Sequence, residues 1–531
     1  MALPDYLLRS AERFPGKDAV IQGNRRISYG ALLGRAQAVA GLLMREGIRA
    51  GDRVAILMEN SPEYLFSYFG ILMVGGIVVP FSDQIAARGL VKALSNCNPS
   101  AIFVQGNLRG VVNESLSAIG SIRLVVVADE GPWIGKKNVL GQDVVFPTGV
   151  RVVSFTDIDQ QESGTEALPA IQDTSVALIL YTSGTTGEPK GVMLTHKNLA
   201  ANAESIIRYL DLTHNDRVMV ILPFYYSYGN SLLTTHIAAG GSLVLENSFL
   251  YPNVVLDKMV REMVTGFSGV PSTFAILLNR SGIRKYTFPD LRYITQAGGA
   301  MSPKHALELI KVLPGAKIFI MYGQTEAAAR LSYLEPGELL RKAGSIGKAI
   351  PGVTLTVKKD GMLPAPAGEV GEIVAQGDNI MTGYWNSPVE TENVLKADGL
   401  HTGDLARMDE DGYLYIVGRK SDMIKSGAHR ISPKEIEEAI LELPAVHEVA
   451  VVGVEDEYLG EAIVAHVVPK EGRELVGREI QAYCRGILPP YKVPKTVIIS
   501  SELPKTQSGK IRKYALANTS AGIIPPKDSS V

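Results

Sequence analysis

Cysteine is nearly absent from this chain: Cys97 and Cys484 are the two in 531 residues. They lie far apart and lack partner histidines at ligand spacing, so neither a disulfide framework nor a structural zinc site is indicated. An excess of one charge is missing too. The 53 basic and 55 acidic residues leave a formal net charge of -2, which offers no broad field to attract nucleic acid or an anionic membrane. Long apolar runs are also lacking. The longest, near 69–81, is interrupted by Gly75, Gly76 and Pro80 and is too short to cross a bilayer; it reads as a buried helix end running into a strand. The start, Met1-Ala2-Leu3-Pro4-Asp5-Tyr6, has no basic segment followed by an apolar one, so no secretory signal is expected. A reducing cytoplasm is the expected location. No internal repeat or low-complexity segment is visible.

What the chain has is size, with 46% hydrophobic residues, and an alternation of helix-like and strand-like segments. Its length exceeds one ordinary core, so two or more lobes are expected. The alternation over 1–417 predicts a large N-terminal lobe of layered α/β subdomains with largely parallel sheets. Within it, Ile27 to Glu46 reads as an amphipathic helix, Arg53 to Leu57 as a strand and Arg217 to Leu222 as a buried strand. Thr195 is the expected N-cap of a helix running to about Leu210. Charged and small residues at Gly418-Arg419-Lys420-Ser421-Asp422 mark a boundary, followed by a small α+β lobe over 423–513. There Ser432-Pro433-Lys434-Glu435 predicts a capping box with proline at the first helical position. Val449 to Val454 and Ala462 to Val468 read as strands, and Arg478 to Ile487 as a helix. The tail, 514–531, has little periodicity and is expected to be disordered.

The most telling stretch is Tyr181-Thr182-Ser183-Gly184-Thr185-Thr186-Gly187-Glu188-Pro189-Lys190-Gly191, directly behind the strand-like run Ser175 to Leu180. Glycines let backbone N–H groups approach an anion, hydroxyls add donors and Lys190 adds positive charge, which together read as a phosphate loop. It is not a Walker A sequence, because Lys190 lies between Pro189 and Gly191. A linker has similar composition, and that alternative stays open for the loop alone. Three further segments share its character. Gln296-Ala297-Gly298-Gly299-Ala300 follows a strand-like run and would let a flat ring lie on the backbone. Met321-Tyr322-Gly323-Gln324-Thr325-Glu326 offers an aromatic face, a hydroxyl and a carboxylate suited to a base, a phosphate oxygen and Mg²⁺. His401-Thr402-Gly403-Asp404 places a carboxylate after a glycine turn, suited to ribose hydroxyls. Taken singly, Tyr322 reads as core, Glu326 as solvated and Asp404 as a turn residue.

Together, in this order and at this spacing, the motifs resemble those of the adenylate-forming superfamily of acyl-CoA synthetases, aryl-CoA ligases, firefly luciferase and peptide-synthetase adenylation domains. The resemblance runs from Ile27-Ser28-Tyr29 and Gly75 to Pro80 through to Pro504-Lys505-Thr506-Gln507-Ser508-Gly509-Lys510. It implies that Thr182, Ser183, Gly184, Thr185, Thr186, Gly187 and Lys190 take the β- and γ-phosphates of ATP. Gly298, Gly299 and Ala300 would form the adenine pocket, with Tyr322, Gly323 and Gln324 beside it and Tyr322 stacked on the base. Thr325 would meet the α-phosphate, Glu326 the Mg²⁺, and Asp404 and Arg419 the ribose. Lys510 matches the lysine that bridges the substrate carboxylate and the α-phosphate; Thr185, Lys190, Glu326 and Lys510 are the implied catalytic residues. The small lobe is implied to be mobile, pivoting at 418–422. A carboxylate attacking an anionic phosphorus needs such neutralising charge.

The resemblance further implies that Tyr226, Tyr228, Gly229, Gly298 and Gly323 line the acyl site, within Phe224-Tyr225-Tyr226-Ser227-Tyr228-Gly229. Amino-acid-activating relatives carry aspartate where Tyr226 stands, and an unpaired buried ammonium is costly, so an α-amino acid is disfavoured and an apolar acyl or aryl chain expected. Tyr225 reads equally well as core. Lys425, Gly427, Ala428 and Arg430 would meet the thiol acceptor, and Ser421 would be the hinge. Two departures stand out: relatives commonly carry Asp or Lys at the hinge, and often glycine where Ala428 narrows the thiol tunnel. The implied activity is an ATP-dependent acid–thiol ligase that makes an acyl-AMP, releases pyrophosphate and transfers the acyl group of a fatty or aromatic acid to CoA. Loading of a carrier protein's phosphopantetheine arm is the alternative, and the lack of an evident insertion between Gly344 and Asp404 favours CoA. A nucleotide-binding protein without activity is the non-enzymatic alternative, opposed by the retention of Lys190, Glu326, Asp404, Arg419 and Lys510.

Overall fold

The aliphatic run behind the phosphate loop becomes the strand Val176–Ser183, with Ala177, Leu178, Ile179 and Leu180 almost fully buried. A strand covered on both faces reads as a continuous apolar run rather than an alternation, which is how this segment announces itself. The computed structural model describes residues 1–108, 112, 119–128, 149–159, 168–183, 189–299, 301–359, 363–426, 429–456, 459–505 and 511–520. The chain divides into two compact units, Met1–Leu355 with Ala375–Leu400, and Thr356–Val374 with His401–Val531.

The first unit holds two large sheets. In the eight-stranded one, Val176–Ser183 runs parallel to Ile77–Pro80, which in turn lies beside Arg53–Leu57. On its other side Pro189–Thr195 returns antiparallel, and Gly383–Tyr384 pairs with that return strand at the sheet edge. The phosphate segment is therefore the connection of a β-hairpin. In the nine-stranded sheet, Ser242–Leu245, Arg217–Val220, Gly266–Gly269, Tyr293–Gln296 and Lys317–Tyr322 are neighbours in that order and all parallel. Because Tyr293–Gln296 and Lys317–Tyr322 are adjacent and parallel, the segments that leave their carboxyl ends, Gly298-Gly299 and Gly323 to Glu326, emerge side by side. Open α/β sheets place ligands at such carboxyl ends.

Helices cover these sheets where apolar spacing demands it. Tyr29–Arg45 and Pro62–Met73 pack on each other so closely that a Cβ on Gly70 would lie 2.5 Å from Val39 Cγ1. His196–Leu210 starts at Thr195 as expected, with Asn198 completing a reciprocal cap: Asn198 N–H donates to Thr195 Oγ1 at 3.1 Å, and Thr195 N–H to Asn198 Oδ1 at 2.8 Å. One apolar core joins strand residues such as Val54, Leu178, Val218 and Leu243 with helical Leu42, Phe69 and Leu233.

The second unit contains a five-stranded sheet in which Val446–Asp456 and Gly460–Pro469 form a long hairpin, flanked by Ile424–Ser426, His429–Ile431 and the parallel strand Thr496–Ile499. The helices Pro433–Leu441 and Gly477–Ile487 contribute Ile436, Ile440, Ile480 and Cys484 to its core. Two expectations need correction here. The capping box at Ser432 does not form: Ser432 Oγ donates to Val417 O at 2.6 Å, and Glu435 accepts from Lys492 Nζ at 2.6 Å. Partners distant in sequence satisfy both side chains, and Pro433 alone marks the helix start. The tail is not wholly irregular, since Lys513–Ser520 is a helix. Leu516 joins a small core with Val452 and Leu503, and the buried Ser520 hydroxyl meets His466 Nε2 at 2.8 Å, which anchors a segment with little periodicity of its own.

Candidate active site

The hairpin register sets the first part of the site. Thr182 and Lys190 are directly opposed across the two arms. Gly184, Thr185, Thr186 and Gly187 lie outside the described residues, as does the side chain of Ser183. Lys190 Nζ stands 5.4 Å over the ring of Tyr384, whose short strand pairs with the lysine's own strand. The Tyr384 hydroxyl donates to Glu326 Oε1 at 2.8 Å. One tyrosine thus links the lysine of the hairpin to the carboxylate that leaves the neighbouring sheet. Gly191 permits this crowding, since a Cβ there would lie 2.9 Å from Ile179 Cγ2 and 3.3 Å from Trp385 Cβ.

Glu326 sits in a single 3₁₀ turn, Thr325–Ala327, and its backbone carbonyl accepts from Met381 N–H at 2.9 Å. Gln324 immediately precedes that turn in extended conformation, and Thr325 Oγ1 donates to Ser227 Oγ at 3.4 Å. Tyr322 closes the strand Lys317–Tyr322 half-buried against the main core. Gly323 has no freedom to be anything larger: a Cβ would fall 1.9 Å from the carbonyl oxygen of Ala329. Beside it Gly298 adopts φ +85°, and Gln296 Nε2 donates to Gly299 O at 2.8 Å. Gln296 Oε1 is buried with no partner among the described residues. Ala300 lies outside those residues.

The aromatic segment caps the helix Ser227–Ala239, with Tyr226 at its N-cap. Tyr225 is buried, so its core reading holds, and its ring centroid lies 4.6 Å from that of Tyr226. The Tyr228 hydroxyl donates to Thr295 O at 2.9 Å, tying the first helical turn to the strand that carries Gly298. A Cβ on Gly229 would lie 2.0 Å from Pro223 O. The bend is held from afar by Asn60, whose Oδ1 accepts from Phe224 N–H at 2.8 Å and whose Nδ2 donates to Leu222 O at 2.9 Å.

In the second unit, the segment His401 to Asp404 lies within the strand Gly399–Met408 rather than in a turn, and only Gly403 takes positive φ, at +73°. Pairing with Leu414–Arg419 puts Asp404 opposite Arg419, and Arg419 Nε donates to Asp404 Oδ1 at 3.0 Å. Long β-pairing overrides the local turn signal of glycine. Glu372 braces this strand: it accepts from Gly403 N–H at 3.1 Å and from Lys420 Nζ at 3.3 Å, with His401 Nδ1 at 3.4 Å. Burial pushes the Glu372 carboxyl up, but His401, Lys420 and the Gly403 N–H outweigh it and hold its pKa below the ordinary value. Ser421 Oγ donates to Asp422 Oδ1 at 2.9 Å. The Lys425 backbone N–H donates to Glu461, and Arg430 lies on the strand His429–Ile431. Gly427, Ala428 and Lys510 lie outside the described residues.

Sequence reasoning did not single out Tyr384, Glu372 or Asn60. Tyr384 follows Gly383 in an otherwise ordinary run, and Asn60 lies more than a hundred residues from the bend it holds; only pairing across the fold brings either into the site.

An anion-suited hairpin and an acidic turn at the ends of parallel strands define a nucleotide-handling α/β protein. The profile of the AMP-binding enzyme family matches residues 7–385, and that of its C-terminal domain matches 435–510, so the chain belongs to the AMP-binding enzyme family. It is 34% identical to a long-chain-fatty-acid–CoA ligase of Bacillus subtilis, covering 97% of this chain and 94% of that one. It is 33% identical to an indoleacetate–CoA ligase of Aromatoleum aromaticum, over 97% of each. Among solved structures, ATP-bound MatB from Rhodopseudomonas palustris superposes with a TM-score of 0.86 at 29% identity, covering 99% of this chain and all of that one. The Bacillus subtilis O-succinylbenzoate CoA synthetase with ATP and magnesium gives 0.83 at 26% identity, over 96% and 98%.

Proposed function

We propose that this chain is an ATP-dependent acid–thiol ligase that activates a fatty or aromatic carboxylic acid as an acyl-AMP and passes the acyl group to CoA. The observation that carries the assignment of its residues is the chain of contacts from Lys190 through Tyr384 to Glu326. It supports a site where a cation and a carboxylate flank the same triphosphate. The donor set fits ATP and Mg²⁺. Among the described residues no group of three or more His, Cys, Asp or Glu gathers to cage a metal, so Glu326 would hold the ion jointly with phosphate oxygens and water, as Mg²⁺ prefers. When bound, Mg²⁺ neutralises charge building on the phosphates. Gln296 Oε1, buried beside Gly298 and Gly299 with no partner among the described residues, fits an amine-bearing base lying on that backbone.

In the first half-reaction a carboxylate oxygen attacks the α-phosphorus, the bond to the bridging oxygen breaks and pyrophosphate leaves. Lys190 and the hairpin hydroxyls hold the departing group, Thr325 the α-phosphate, and Lys510 spans carboxylate and α-phosphate. Asp404 and Arg419 orient the ribose, and Tyr226, Tyr228, Gly229 and Gly323 the acyl body. In the second, the thiol sulfur attacks the acyl carbon, AMP leaves and the thiol proton passes to solvent. Ser421 pivots between the two, and Lys425, Gly427, Ala428 and Arg430 meet the acceptor. Two buried free cysteines agree with a reducing cytoplasm as the working location.

Pyrophosphate exchange by the pure protein with a panel of fatty and aromatic acids tests this reading. Acid-dependent exchange followed by acyl-CoA formation is expected. No exchange with any acid would sink the ligase reading, and acylation of a holo carrier protein but not of free CoA would move the acceptor to the carrier.

A further inference from the structure

Arg330 is 3% exposed, and among the described residues no carboxylate pairs with it. Its guanidinium stands 4.0 Å over the ring of Tyr228. Nε donates to the sulfur of Met321 at 3.3 Å, and one terminal nitrogen to Ala329 O at 3.5 Å. The Tyr209 hydroxyl, itself donating to the same sulfur at 3.1 Å, is a further acceptor for the guanidinium, so a thioether, a phenol and a long carbonyl contact, all uncharged, serve a group with five N–H donors. A buried charge without an anionic partner is costly, so its retention calls for a reason.

The surroundings hold it there deliberately. The chain reverses after Glu326 through two alanines in the left-handed region, Ala328 at φ +52° and Ala329 at φ +112°. Strain of this kind is sustained only where the rest of the structure enforces it. Two side chains do so. Asn202 Nδ2 donates to Arg330 O at 3.1 Å, and Asn379 Nδ2 donates to the same oxygen at 2.9 Å. The glycine at 323 is what lets the reversed segment close against the strand end. Arg330 thereby arrives behind Tyr228, and Tyr228 and Gly323 are both assigned to the acyl site. That wall is more polar than an alkyl chain requires: Tyr228 is bonded to Thr295, and the Thr295 and Ser268 hydroxyls meet at 2.7 Å.

We propose that Arg330 is a specificity-determining residue that receives the second carboxylate of a dicarboxylic acid, aliphatic or aromatic, whose first carboxylate is adenylated. A carboxylate matches the planar fork of arginine and neutralises it in place. A methyl-terminated acid of equal length leaves those donors unpaired, and sites with unpaired polar groups discriminate strongly. The inference rests on the acid–thiol ligase reading above.

Pyrophosphate exchange with matched acid pairs, one ending in carboxylate and the other in methyl on the same skeleton, tests it in the full-length protein. For the wild type, kcat/KM is expected to favour a diacid over its partner by about ten-thousandfold, the scale on which a site built to hydrogen-bond a substrate group rejects the analogue lacking it. Arg330→Met should abolish that preference through a higher KM for the diacid, with the KM for ATP unchanged, and Arg330→Lys should restore part of it. A wild-type preference for the methyl-terminated acids would overturn the proposal, as would an Arg330→Met variant that loses both acids equally, the mark of a structural role. If Arg330→Met does not fold, the wild-type ratio and Arg330→Lys decide. Exchange with the methyl-terminated acids alone refutes the diacid assignment while leaving the ligase reading intact; exchange with no acid removes both.

Discussion

The Tyr384 hydroxyl donates to Glu326 Oε1 at 2.8 Å, joining an edge strand of one sheet to the acidic turn beyond the last parallel strand of another. A carboxylate so held has one oxygen oriented by a neutral donor, and among the described residues no hydrogen bond reaches the other, which suits a cation or water. The tyrosine is therefore a positioning residue for the proposed metal ligand, and its loss has a defined signature.

Tyr384→Phe keeps the ring beneath Lys190 and deletes only the donor. A hydrogen bond to a charged group contributes about 1.5–3 kcal/mol, so exchange should fall by roughly tenfold or more. The Mg²⁺ concentration for half-maximal rate should rise while the melting temperature hardly moves. An unchanged Mg²⁺ dependence would dissociate Tyr384 from the metal ligand.

Gly323→Ala forces a methyl within 1.9 Å of the Ala329 carbonyl, which only backbone movement can relieve. Expected is a destabilisation of about 2 kcal/mol or more with loss of exchange. Gly315→Ala, where nothing lies within 4 Å, is the control and should melt like the wild type.

Asp404→Asn removes the carboxylate's ion pair with Arg419 and replaces an acceptor-only group by an amide. The KM for ATP should rise about tenfold, a 1.4 kcal/mol effect, and discrimination between ATP and 2′-deoxy-ATP should shrink. Full retention of that discrimination would remove Asp404 from the ribose.

Lys510→Ala should severely slow adenylation while affecting thioester formation from preformed acyl-adenylate much less. Rapid-mix assays of the two half-reactions measure this directly, and equal losses in both would refute a role confined to the first.

Acid should weaken the fold through two buried histidines. Burial lowers His196 and His236 from 6.5 to about 4, and His196 Nδ1 accepts from Leu3 N–H at 3.2 Å, a bond that needs the neutral ring. Since the folded value is the lower one, the stabilisation is complete above pH 6.5 and is lost as pH falls toward 4. Each histidine should add up to about 1.4 kcal/mol per pH unit to the slope there. Urea unfolding at pH 7, 6, 5 and 4.5 reads it out, and an equally steep profile in His236→Asn would discount that residue.

Much of this was legible in the primary structure because it depends on neighbours along the chain. Periodicity and an N-cap located Val176–Ser183 and His196–Leu210. Glycine and hydroxyl clusters marked the segments that leave strand ends. Local signals failed where a distant partner outcompeted them. Ser432 turned to Val417 instead of capping its own helix, His401 to Asp404 extended because Leu414–Arg419 pairs with it, and Lys513–Ser520 folded because His466 and a small apolar core receive it.

The sequence by itself determined that this is a two-part α/β protein and which of its segments combine glycines with hydroxyl donors behind apolar runs, since these are properties of short stretches. Only the tertiary structure decided that Tyr384 holds Glu326, that Asn60 fixes the bend before Tyr226, and that Arg330 lies buried against Tyr228 with no carboxylate paired to it among the described residues. Those relations join residues from about 60 to more than 160 positions apart. They exist because parallel strand order and helix packing bring distant segments together, and no local pattern encodes which side chain will be waiting there.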